Sequence, residues 1–248
     1  MTSAIALPEL PDVNDEGAMK VVNFSEQANW VVPGFVMAGK SPAREKDVKG
    51  YVENLVQTGK VTTYVCLQSE VIPQSEDTAD MGGIQVGNEV KKLPSYAPMA
   101  KAVNPDAKFV YFGMRDDEAA PSEESLTLLI EELADRVKNK GEVVYIHCKG
   151  GSGRTGIVAG CLLGYLYPTI DADEVLTRIQ RSFEWRVKGV KKWVNPKSKS
   201  PATDEQKEQV KRILANRKIK VDKLTSAYKD DNVDQSADVC NPSNCSIM

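Results

Sequence analysis

The sequence predicts an α/β fold with a central, mostly parallel sheet flanked by helices. Three observations carry this. Runs rich in β-branched and aromatic residues alternate with helical patterns along the chain. An amphipathic helix leads into a β-rich run at residues 142–146. That run passes through a glycine-rich turn, KGGSG, straight into a strongly apolar helix opening at about Arg154. A functional loop at the carboxyl end of a strand suits this architecture.

Residues 1–25 carry Pro8, Pro11 and Gly17 and read as a flexible leader. The domain is placed at 26–224, with its first structured stretch near Trp30. Residues 44–57 suit a short helix, with Val48, Tyr51 and Leu55 at helical spacing. VTTYVCL, residues 61–67, is β-rich and reads as a central strand. The polar, glycine-bearing stretch 70–93 reads as a loop or insertion. A helix is expected over 94–103 and a strand, KFVYFGM, over 108–114. Pro121 and Ser122 then form a stop and an N-cap. Leu126, Leu129, Ile130, Leu133 and Val137 repeat at three and four, giving an amphipathic helix that ends at Gly141. Past the glycine-rich turn, Asp171 with Glu174 caps a helix running to about Phe183. Thr203 with Gln206 caps another, running to about Leu214. Residues 225–248 form a polar tail with Asp230, Asp231, Asp234 and Asp238. No internal repeat is visible.

At 248 residues the chain accommodates one sizeable domain plus tails. The net charge of −3 names no partner, and no nucleic-acid partner is expected. Charge is unevenly spread, however. Residues 178–223 hold fifteen Lys/Arg against five Asp/Glu, a face that could meet acidic phosphopeptides or an anionic membrane, or simply be a solvated helical surface. Five cysteines form no C-x-x-C pair, and there is a single histidine, so no metal or cofactor is expected. The N-terminus lacks the basic start and apolar core of a signal peptide. The longest apolar run, 157–167, is too short to span a bilayer. The expected compartment is the reducing cytoplasm.

The chemistry concentrates in residues 147–156, HCKGGSGRTG. A turn containing Gly150, Gly151 and Gly153 can curl so that successive backbone N–H groups converge. The following helix aims its positive end at the same point. The result is a cradle for an anion of phosphate size, with Cys148 at its floor and Arg154 at its rim. Helix N-termini and nearby cations lower a cysteine pKa from about 8.5 to roughly 3.5–7.5, so a thiolate nucleophile is expected here. Arg154 offers a planar fork for two phosphoryl oxygens. Thr155 can give a hydroxyl hydrogen bond to the sulfur. A P-loop nucleotide site is the nearest rival, but it requires a Gly-Lys-Ser/Thr ending that is absent. The plain alternative is a buried structural cysteine beside an ordinary turn.

The string HCKGGSGRTG resembles the HCxxGxxR(S/T)G signature of the protein-tyrosine-phosphatase superfamily, with every fixed position filled. NWVVPGFVMAG, around Trp30, resembles the opening strand of many dual-specificity-type members. The resemblance implies a phosphocysteine mechanism. Cys148 is the nucleophile, and the backbone of Lys149, Gly150, Gly151, Ser152, Gly153 and Arg154 binds the phosphate, with the Arg154 guanidinium closing over it. Thr155 assists the sulfur and His147 orients the loop. The family also places an aspartate on a loop after a strand to protonate the leaving oxygen and then activate water. Asp117 precedes Cys148 by thirty-one positions and Pro121 by four, resembling the family's D-x-x-x-P spacing; Asp116 is the alternative. Gln206, in SPATDEQKEQV, resembles a glutamine that helps position water, or it caps its helix. Cys66 resembles a strand cysteine that traps an oxidised catalytic cysteine in some relatives, or it is a core thiol.

The expected substrate is a phosphorylated protein, through phosphotyrosine and also phosphoserine or phosphothreonine. Lys149 resembles the first basic residue in the loop of phosphoinositide phosphatases of the superfamily, but Ser152 stands where that subgroup has a second one. A phosphoinositide phosphatase and a weakly active phosphate-binding adaptor are the competing readings. Finally, Cys245-Ser-Ile-Met248 is a C-a-a-X box whose terminal Met favours farnesyl. It implies a prenyltransferase as partner and peripheral attachment to a membrane. One lipid anchors only marginally, so acylation of Cys240 or the basic face would supply the second signal.

Overall fold

A computed structural model describes residues 5–71, 75–84, 95–188 and 198–233, and side chains within these except 187–188 and 220–233. Cys240, Cys245 and part of the basic stretch therefore lie outside the described residues. The chain runs β1 (Ala28–Val32), β2 (Val36–Lys40), α1 (Val48–Gln57), β3 (Thr63–Gln68), β4 (Ala79–Gly83), α2 (Ala97–Val103), β5 (Lys108–Met114), α3 (Glu123–Lys138), β6 (Val144–Cys148), α4 (Gly153–Leu166), α5 (Ala172–Lys188) and α6 (Asp204–Val233). One six-stranded sheet has the order β1-β2-β6-β3-β5-β4. Every neighbouring pair is parallel except β1 with β2. The expected α/β architecture is the one observed.

Strand alternation divides the core into two layers. Val65, Leu67, Val110, Phe112, Val144, Ile146 and Cys148 pack with α3 to α6. Tyr64, Phe109 and Tyr145 pack with α1 and α2 on the other face. α3 turns Leu126, Leu129, Ile130, Leu133 and Val137 inward, as its spacing predicted, and its N-cap Ser122 accepts a hydrogen bond from Ser125 N. Every residue of α4 is buried, which matches a helix apolar on all sides.

Four expectations need correction. The opening strand is a hairpin, β1 to β2, turning at Gly34 with φ +78°. The stretch 70–93 contains β4, a parallel edge strand beside β5. α6 does not end near Leu214 but continues to Val233. The leader is fixed to the domain from residue 5 onward. Ile5 N donates to Lys138 O, while Pro8 O and Pro11 O accept from Tyr167 Oη and Arg178 Nη1. A helical turn at Ala18–Val22 buries Met19 and Val22. Prolines stiffen this segment, and its free carbonyls attach it.

Candidate active site

Three parallel strands deliver the site at their carboxyl ends, beside one another in the sheet. β6 ends at Cys148, β3 leads to Glu70, and β5 leads to Asp116. The Cys148 thiol is nearly buried and accepts a hydrogen bond from Gly151 N at 3.3 Å. The turn itself depends on Gly151, whose φ is +71°; a Cβ there would lie 2.2 Å from Gly39 O. Gly150, by contrast, has open space around it.

Side chains from the helical layer hold the turn from behind. Buried Arg186, on α5, donates to Gly151 O at 2.8 Å, and Ser200 Oγ donates to Ser152 O at 3.0 Å. Gly153 begins α4, so the positive end of that buried helix meets the turn. His147, on the opposite face of β6, shares a 2.6 Å hydrogen bond with Tyr96 Oη. Burial, helped by the charge of Arg154 and opposed by the backbone of Cys148, pushes the His147 pKa down to about 3. The imidazole is therefore neutral near pH 7, which suits a residue that orients rather than transfers protons.

Arg154 is the electrostatic centre. Its side chain is fully buried. Nη1 donates to Glu70 Oε2 at 2.7 Å and to Met114 O at 3.0 Å; Nη2 donates to Glu70 Oε1 at 3.1 Å and to Asp116 Oδ1 at 2.8 Å. All four terminal N–H bonds are thus engaged. Nε is buried and has no hydrogen-bond partner among the described residues. Burial opposes the guanidinium charge, but the Glu70 hydrogen bond and the nearby Cys148, Glu70 and Asp116 outweigh it and raise the pKa. Glu70 is the reciprocal case. Burial works upward on its carboxyl, and the hydrogen bond and charge of Arg154 hold it below its ordinary value.

Of the two aspartates, the structure brings Asp116 to the site. Besides its bond to Arg154, its Oδ2 lies 3.8 Å from Nζ of half-exposed Lys149. Asp117, favoured by sequence spacing, is exposed on a turn with φ +60°. Thr155 Oγ1 is buried without a hydrogen-bond partner among the described residues, so the expected bond to the sulfur is absent in this arrangement. Gln206 does cap α6: its Oε1 accepts from Ala202 N and Thr203 N. Its Nε2 also donates to Glu118 O at 2.9 Å, which ties α6 to the aspartate loop. Cys66 lies in a cluster with Val71 and Tyr111, and burial, with smaller effects from the nearby Glu70, Arg154 and Cys148, pushes its thiol up to about 12. That environment suits a core thiol.

Glu70 and Arg186 were not singled out from sequence. A carboxylate just past a central strand was the available signal for Glu70; Arg186 sits on a helix face with no local mark. Among the described residues no group of His, Cys, Asp and Glu is arranged to hold a metal ion, and no helix is long and apolar enough to cross a membrane.

A buried thiol and a buried guanidinium, joined by a tight turn, lie at the strand ends of a parallel sheet, an arrangement in keeping with a phosphatase domain. Residues 25–218 match the family described as "PTP-SAK: Swiss Army Knife protein, DSP-PTPase phosphatase domain", and the chain belongs to it. Human cyclin-dependent kinase inhibitor 3 is 38% identical over 64 residues, which take in 26% of this chain and 30% of that relative's length. Two solved structures share the fold. Tk-PTP in its active form has TM-score 0.52 and 21% identity, covering 76% of this chain and 97% of its own. PTPMT1 in complex with PI(5)P has TM-score 0.51 and 14% identity, covering 79% and 99%.

Proposed function

We propose that this phosphatase hydrolyses phosphotyrosine, and phosphoserine or phosphothreonine as further substrates, in protein substrates through a phosphocysteine. The observation that carries the reading is the unpartnered Nε of buried Arg154, in the same turn as the Cys148 thiol. A buried donor without an acceptor is costly, and a phosphoryl oxygen supplies the acceptor. The phosphate binds Nε and takes the place of the Asp116 carboxylate on Nη2, within the backbone amides of residues 149–154. Cys148 attacks phosphorus as the P–O bond to the leaving group breaks. Asp116, displaced from Arg154 and protonated as the phosphate monoester binds and gives up its proton, passes that proton to the leaving oxygen. It then takes a proton from the water that cleaves the P–S bond, releasing inorganic phosphate and restoring the thiolate.

The competing acids are separated by Asp116→Asn and Asp117→Asn. With Asp116 as the acid, its replacement lowers kcat by about 10²–10³-fold on a phosphotyrosine peptide, and replacement of Asp117 changes kcat by less than about threefold. The reverse pattern would return the role to Asp117. The same assay with phosphothreonine peptide and phosphoinositide vesicles sets the substrate class. Half-exposed Lys149 at the rim favours a phosphoinositide headgroup as the second reading, and turnover confined to vesicles would install it.

A farnesyl on Cys245, a C-a-a-X position outside the described residues, is part of the same proposal, as is peripheral attachment to a membrane. Protein from prenylating cells should lack Ser246, Ile247 and Met248 and carry the lipid mass on Cys245. An intact carboxyl end would remove the tether.

A further inference from the structure

We propose that Gln209 is a positioning residue for the proton-transfer step, acting through the backbone of the aspartate loop. This rests on the phosphatase reading and extends it to a helix that contributes no group to the chemistry.

The loop between β5 and α3 is held at both ends. At its start, Met114 O accepts from Arg154 Nη1 at 3.0 Å and from Ser69 N at 3.2 Å. At its end, the Gln209 side chain pairs with both main-chain groups of Ala120. Ala120 N donates to Oε1 at 2.8 Å, and Nε2 donates to Ala120 O at 2.9 Å. The two bonds form a ring like that between neighbouring strands, with a side chain standing in for one backbone. Gln209 and Ala120 are both buried, so water does not compete for these groups. One helical turn earlier, Gln206 holds Glu118 O. Residues 206 and 209 lie three apart and share a face of α6, so one face fixes the loop at two points.

Between the fixed ends, residues 115–118 are exposed. Asp116 is thus a solvent-facing group on a short span anchored by buried bonds. Its aim at Arg154 depends on where those anchors sit. An amide is the group suited to Ala120 because it donates and accepts in one plane; a carboxylate loses the donor, and an alkyl group loses both. A displacement of about 1 Å in a reacting group can cost 10²-fold in rate, so the anchors bear on catalysis without touching substrate.

The test is the leaving-group dependence of kcat/KM for the full chain carrying Gln209→Leu. Difluoromethylumbelliferyl phosphate leaves readily and needs little protonation; phenyl phosphate needs the acid. A positioning role predicts a loss about tenfold larger on phenyl phosphate than on the activated ester. Gln209→Glu keeps the acceptor for Ala120 N, serves if the leucine variant fails to fold, and should show the same skew in smaller measure. Equal losses on both esters, or unchanged kinetics, in the variants that fold would overturn the proposal while leaving the phosphatase reading standing. No turnover of either ester by the unaltered chain would overturn both.

Discussion

Cys148→Ser should abolish turnover, with kcat on a phosphotyrosine peptide falling at least about 10⁴-fold. The serine hydroxyl is nearly isosteric with the thiol, but it is a poor nucleophile at neutral pH and its phosphate ester does not turn over. The cradle itself should survive. Gly151 keeps its left-handed backbone, Arg186 keeps its bond to Gly151 O, and Arg154 keeps its four acceptors. Titration calorimetry with inorganic phosphate or tungstate should therefore give nearly unchanged binding. Turnover surviving the substitution would eliminate the phosphocysteine pathway, and loss of oxyanion binding with intact folding would show that the sulfur, not the turn, holds the anion.

Arg154→Lys should give the second-largest loss and a different signature. An ammonium is a point charge with three donors and cannot reproduce a planar fork. In this site it would have to serve Glu70, Met114 O and Asp116, with no directed donor left for phosphate. Losing one aligned donor to a developing charge typically costs about 10²–10³-fold in kcat, and this change misaligns several. Here oxyanion binding should weaken along with turnover, unlike in Cys148→Ser. Equal kcat in the lysine variant would mean that charge alone suffices and that the fork geometry is incidental.

What was legible in sequence was local. Cys148 and Arg154 flank one short turn, and Arg154 opens the apolar α4, so spacing alone placed them. β3, β5 and α3 announced themselves by period because each buries one clear set of side chains. β4 did not: its sequence, ADMGG, alternates nothing and ends in two glycines at φ +95° and +93°. It is a strand because β5 offers it an edge. The leader was misjudged for a related reason. Its prolines suggested a loose chain, but its attachment runs through main-chain groups that any sequence possesses and through the buried Met19 and Val22. In the site, the illegible groups are those brought from afar by topology. Glu70 lies 84 positions from Arg154, and Gln209 lies 89 from Ala120. Which of Asp116 and Asp117 reaches Arg154 also escaped spacing, because adjacent residues differ only in which way a turn points them.

Those separations have a consequence for how the enzyme comes into being. Closing long loops is entropically costly, so contacts spanning them form late. Arg154 obtains its acceptors only when β3 has paired with β6 and β5 with β3, and the aspartate loop obtains its anchors only when α6, last in the described order, has packed against α4 and α5. Ribosomes deliver α6 after every reacting residue. A growing chain can therefore carry the complete signature sequence while its aspartate loop still lacks the anchors on α6.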